Sequence, residues 1–202
     1  MTARMKHFFR LFTFSFLLML ISGSSISPLD SPDVLKIRRQ FKLWQEVLNK
    51  GTLSKAKRFF HIYSGENYQN EKWVIQTNKQ DSGAFIGEEV ALVKNDKLGM
   101  MFYISETSPS GDWYIAAEDY YWLSGRLFFV YWKMNTSRAL EPITIERRLY
   151  FSENGNLVES LESVYKLGTR EKVDNPNYMP HDVTYWKNVR ELPFYNLLEK
   201  TP

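Results

Sequence analysis

The chain has no cysteine in its 202 residues. That excludes disulfides, thiolate metal sites, a cysteine nucleophile and a lipid anchor carried on an acylated cysteine. Histidine is nearly as scarce, with three in all, and only His61 and His181 lie beyond the first twenty-five residues. There is no Gly-x-Ser-x-Gly elbow for a nucleophilic serine and no Gly-x-Gly pair ahead of a helix to cradle a phosphate. His181 and Asp182 are adjacent, but no second histidine follows at a spacing that would converge ligands on a metal. No cofactor is therefore expected. Apolar runs are short as well: the longest compact one, residues 11–21 (LFTFSFLLMLI), would rise about 16 Å as a helix, roughly half a bilayer core.

That run sits inside an address. Arg4, Lys6 and Arg10 precede it without an acid among them, and the small residues Ser22, Gly23, Ser24 and Ser25 follow. This order is that of a secretory signal, so residues 1–25 are expected to be removed, leaving residues 26–202 as one domain in the periplasm or the medium with no stable membrane span. The charge follows suit. The chain carries 26 Lys and Arg against 23 Asp and Glu, and three of the basic residues belong to the leader, so the remainder holds 23 of each sign. With no net positive charge, the electrostatic case for binding nucleic acid disappears.

What the chain has in quantity is aromatic rings: 14 Phe, 12 Tyr and 6 Trp, an excess that favours strands. One helix comes first. Ser31 suits an N-cap, Pro32 the first helical position and Asp33 the positive end of the dipole, and Val34, Ile37, Phe41, Trp44 and Leu48 recur at helical steps until Gly51. The spacing predicts a helix over 33–49. From Phe59 the period becomes that of strands, with FFHIY (59–63) and WVIQT (73–77) as the first two. The dipeptides Lys97-Leu98, Arg126-Leu127 and Asn156-Leu157 then recur 29 and 30 residues apart, each after turn chemistry: Asn95-Asp96, Ser124-Gly125 and Asn154-Gly155. Three successive hairpins describe an antiparallel meander. Residues 181–191 are expected to form a C-terminal helix, with Pro193 ending or re-aiming it. The fold class is α+β: an N-terminal helix, an antiparallel meander and one or two short C-terminal helices.

The hairpin residues EDYYWLSGRLFFVYWK (118–133) and ERRLYFSENGNLVES (146–160), with the earlier IRRQF (37–41), carry a resemblance. Together they resemble a group of exported bacterial proteins of unknown function that begin with a secretory signal and such a helix. The resemblance implies an exported protein of α+β or mainly-β fold and adds no reaction. Ser124-Gly125-Arg126 stands where that pattern has Asn-Gly-Lys, and Asn156 where it has lysine.

A two-residue turn at Ser124-Gly125 would set Leu123 opposite Arg126. One face of the ribbon then collects Ala116, Glu118, Tyr120, Trp122, Leu127, Phe129, Tyr131 and Lys133; the other collects Ala117, Asp119, Tyr121, Leu123, Phe128, Val130 and Trp132. The second face has less charge and is expected to pack on the helices. The first, with Tyr120, Trp122 and Tyr131 beside Glu118 and Lys133, has the ring faces and polar tips of a ligand platform for a polysaccharide, a peptide or an envelope protein. The expected role is thus a non-enzymatic binding protein of the cell envelope. The alternative is an envelope hydrolase pairing Glu118 with Glu106 or Glu89, since Glu88-Glu89 and Glu118-Asp119 cannot act as facing pairs on their own strands. A third possibility is an assembly subunit that adds strands to a partner's sheet. In the register of the Asn154-Gly155 hairpin, Arg147 opposes Glu162 and Arg148 lies diagonal to Glu159, as cross-strand ion pairs.

Overall fold

Why residues 113–136 are so rich in aromatic and aliphatic side chains becomes plain in a computed structural model: these strands are covered on both sides. The structure describes residues 31–64, 69–75, 85–107, 111–174 and 176–199; the expected leader lies outside them. Helix α1 (Pro32–Asn49) is followed by a 3-10 turn and strands β1 (Lys57–Ser64), β2 (Asn70–Ile75), β3 (Phe85–Asn95), β4 (Gly99–Thr107), β5 (Trp113–Tyr121), β6 (Leu127–Thr136), β7 (Ile143–Phe151) and β8 (Leu157–Lys166). A second 3-10 turn (Val189–Glu191) and a one-turn helix α2 (Tyr195–Glu199) end the chain. The eight strands form one antiparallel sheet in the order β2-β1-β3-β4-β5-β6-β7-β8, so the meander runs unbroken from β3 to β8 and β1 lies between β2 and β3.

Helix α1 buries Val34, Ile37 and Trp44 and lies on the face that carries Tyr120. The Phe41 ring meets Tyr120 edge-on at 5.2 Å and Phe129 at 4.8 Å, and Trp44 lies 6.2 Å from Tyr120. The expectation that the helix would pack on the Tyr121 face is thereby corrected. That opposite face is instead covered by the C-terminal segment. Phe59, Phe102, Tyr121, Leu127, Val130, Trp132 and Phe151 form one cluster there with Val189, Leu192 and Phe194. Phe194 stacks on Phe59 at 4.5 Å, and the Tyr121 hydroxyl donates to the Trp186 carbonyl oxygen at 2.9 Å.

The expected helix over 181–191 is not formed, apart from the single turn at Val189–Glu191. The segment runs as a strap whose backbone bonds to the sheet: Leu127 N–H donates to Lys187 O at 3.0 Å, Val189 N–H to Gly125 O at 2.9 Å, and Arg126 bridges Asn188. An extended strap reaches several strands with Tyr185, Trp186 and Val189, where a helix would have presented one stripe. Tertiary contact outweighs the helical spacing here.

The hairpins correct one detail of register. Trp122 N–H bonds Arg126 O and Gly125 N–H bonds Trp122 O, so the loop has three residues (123–125), with Gly125 at φ 83°. Phe128 is then an extra residue in β6, because Tyr121 pairs with Leu127 and Tyr120 with Phe129. The bulge restores the expected Tyr120–Phe129 and Glu118–Tyr131 pairs, turns Leu127 toward the strap, and sets Phe128 against Trp122 at 4.3 Å. The β7–β8 hairpin repeats the arrangement, with Gly155 at φ 81° and Val158 as the extra residue. Arg147 pairs with Glu162 as expected, at 2.6 Å, whereas Arg148 approaches Glu146 at 3.5 Å, and Glu159 lies 4.0 Å from Arg38 on α1.

Gly99 and Gly155 test the turn geometry. At Gly99 (φ 109°) a Cβ would stand 2.2 Å from the Tyr121 carbonyl oxygen, whereas at Gly155 it would meet nothing within 4 Å. Gly155→Ala should cost about 1–2 kcal/mol from the left-handed backbone alone. Gly99→Ala should cost more, because the backbone of β5 must also move. Urea midpoints check this; equal losses would show that the β4–β5 contact is not tight.

Candidate functional site

Four of the five residues expected to bind ligand come together on the α1 face of the sheet. Glu118 stands opposite Tyr103 on β4 and Tyr131 on β6, and Lys133 stands opposite Glu146 on β7. Tyr120 is fully buried; its hydroxyl donates to Glu118 Oε2 at 2.5 Å and accepts from Gln45 Nε2 on α1 at 2.9 Å. Glu118 is therefore held by its neighbour two residues along the strand and, through it, by the helix. Burial lifts its carboxyl from the ordinary range to about 7, with the Tyr120 hydrogen bond acting in the opposite sense.

The rest of this band is also polar and largely buried. The Tyr103 and Tyr114 hydroxyls are 2.8 Å apart, and burial pushes Tyr114 up to about 12 and Tyr103 further up. Tyr131 is likewise pushed up by burial and by Glu146. Glu146 is buried and receives Arg170 at 3.1 Å and Arg148 at 3.5 Å. Burial lowers Lys133 despite the nearby Glu146. Glu89, on the same face, is paired with Arg58. Each of these carboxylates is thus committed to a partner within the fold.

Trp122, the fifth expected residue, lies elsewhere, in the lining of a cleft of about 570 Å³. Gln40 from α1 lines it, with Lys97 and Leu98 from the β3–β4 turn, Trp122, Leu123, Ser124 and Arg126 from the β5–β6 turn, and Glu153 from the β7–β8 turn. Alternate turns of a meander fall at the same end of the sheet, which is why dipeptides recurring 29 and 30 residues apart in sequence meet in space. Gln40 Nε2 donates to Leu98 O at 3.0 Å and fixes helix to turn. Arg126 Nη1 donates to Glu153 O at 3.0 Å, and Lys36 pairs with the Glu153 carboxylate. The half-buried Trp122 ring has Phe128 against it and Lys36 Nζ 5.3 Å from its centroid, and Leu123 beside it is 64% exposed.

The sequence points to Trp122 as a contact residue but not to the other residues of the lining. Their signal was present in the recurring turns, whose period equals two strands with their connections. Among the described residues no group of three His, Cys, Asp or Glu could hold a metal, and no helix is long and apolar enough to cross a membrane. In comparisons with known proteins, no family model, no curated protein and no solved structure matches the chain.

Glu118 gives a pH test. Between about pH 4.5 and 7 the folded protein holds a proton that the unfolded chain has released, so stability falls as pH rises through that window. Glu118→Gln should leave stability unchanged near pH 4 and raise it near pH 8 by on the order of 3 kcal/mol. Urea unfolding of both proteins across pH reads the difference; parallel curves would mean that the carboxyl is not held neutral by burial.

Proposed function

We propose that this chain is an exported, non-enzymatic binding protein of the bacterial cell envelope, and that its contact region is the turn-end cleft. The observation that carries the reading is the make-up of that cleft: exposed Leu123 and the edge of Trp122 beside the cations Lys97 and Arg126. Apolar side chains with cations beside them suit a peptide that presents an apolar side chain next to a carboxylate. A polysaccharide fits less well, because stacking on sugar needs an open ring face, and Phe128 and Lys36 lie against the Trp122 ring. Export rests on the basic and apolar leader together with the resemblance of the hairpin motifs.

The competing reading, a hydrolase with Glu118 and either Glu89 or Glu106, finds less support. Glu118 is bonded to Tyr120, Glu89 is paired with Arg58, and β4 separates their strands, a gap of about 10 Å at ordinary strand spacing. Glu106 pairs with Ile115 in the ladder while Glu118 pairs with Tyr103, three positions away and so out of phase.

A photo-crosslinking residue placed at position 123 should trap a partner in envelope fractions, whereas one at position 140, where Leu140 is 88% exposed, should not. Arg126→Ala should weaken trapping at position 123. Equal trapping at both positions, or none at 123, would contradict the assignment.

A further inference from the structure

Asp119 sits in the middle of β5 on the face beneath the strap. It is fully buried, and neither carboxylate oxygen has a hydrogen-bond partner; among the described residues no other carboxylate has both oxygens buried in this way. Its neighbours across the ladder are Phe102 on β4 and Val130 on β6, both fully buried, and the Trp186 ring of the strap packs 6.3 Å from Phe102. The next residue on that face, Tyr121, is the one whose hydroxyl holds the Trp186 carbonyl. An ionised carboxylate without a donor is not tolerated in such a place; either the group stays protonated or water must reach it. The layer above offers the way in, because the strap is held over this part of the sheet by single backbone bonds and side-chain packing, not by a ladder.

We propose that Asp119 is a proton-controlled latch for the C-terminal strap, residues 181–194. With the carboxyl neutral, the strap lies closed on Phe102, Tyr121 and Phe151. Loss of the proton drives the strap away from β4–β6, because only the open form lets water solvate the charge.

The charges near the site oppose ionisation, Glu118 through the sheet from the α1 face. Glu88 on β3 and Glu118 on β5 both act on Asp119 to hold its proton on, and burial is the largest effect in the same direction. From the strap, Glu191 acts on Tyr121 in the same sense. Strap opening relieves burial, so the open form releases the proton in the ordinary carboxylate range while the closed form keeps it. Within that interval the ratio of open to closed strap rises up to tenfold for each unit of pH.

Hydrogen exchange of the mature protein, read segment by segment from pH 5 to 8 and corrected for intrinsic rates, tests this. The measurement is made in a Glu118→Gln background, so that the adjacent buried carboxyl on β5 does not contribute. Protection of strap amides should fall by up to tenfold per pH unit, while α1 amides keep constant protection. Asp119→Asn should remove the slope in the strap, and Asp119→Leu, which removes the polar group altogether, should do the same. A flat strap profile with Asp119 present overturns the proposal. So does an unchanged slope in either variant, or a parallel loss in α1, which would make the opening global.

Discussion

Burial of the β5–β6 ribbon from both sides is the constraint on which the rest of the structure depends. Without disulfides the fold must stand on packing, and its rings supply that packing. Tyr120, Tyr121, Phe128 and Phe129 are all fully enclosed within one hairpin. Trp44 and Phe41 close one side, and Phe194, Leu192 and Val189 close the other. At roughly 1.5–3 kcal/mol for each large apolar side chain removed from water, neither cover can be lost lightly. The edges are less demanding: most residues of β8 are exposed or half-buried.

Two-sided burial also explains the polar anomalies. A strand with one wet face could turn Glu118 and Asp119 alternately to water and core. On β5 both directions lead inward, so consecutive carboxyls are buried under different covers, Glu118 beneath α1 and Asp119 beneath the strap. Their fates differ by one hydroxyl. Glu118 accepts from Tyr120 and keeps its acidity near neutrality, whereas Asp119 has no donor and is driven further from its ordinary range. The band of Tyr103, Tyr114, Tyr131, Glu146 and Arg170 shows the usual remedy, in which every buried polar tip finds a partner.

Helix α1 and the hairpins were legible in the sequence because each is governed by local rules: a proline at the first helical turn, apolar residues at helical steps, and glycine where φ is positive. The pairing of Tyr120 with Phe129 could be read even though the loop has three residues and not two, because the bulge at Phe128 cancels the extra position. The same compensation at Val158 preserves Arg147 opposite Glu162. The bulges themselves were not legible, and they misplace Phe128 and Leu127 between faces. The choice of face for α1 was not legible either, because charge counted along one ribbon says nothing of a helix that brings Gln45 to satisfy Tyr120. The strap is illegible for a related reason: Val183, Trp186 and Val189 recur at a helical interval, but the adjacent Tyr185 and Trp186 reach Phe151 on β7 and Phe102 on β4, which one helical stripe could not do. The cleft was hidden in plain view, since its residues come from three turns far apart in sequence and only the topology gathers them.

If both covers hold one ribbon, the domain has a single cooperative core, and loosening one cover weakens the whole. The direct measurement is urea unfolding of Trp44→Ala followed by helix-sensitive circular dichroism and by tryptophan fluorescence together. The account predicts one coincident transition, displaced to lower urea by a loss of roughly 3–5 kcal/mol. An early loss of helix followed by sheet unfolding at the original midpoint would show that α1 merely rests on the ribbon, and would contradict the account.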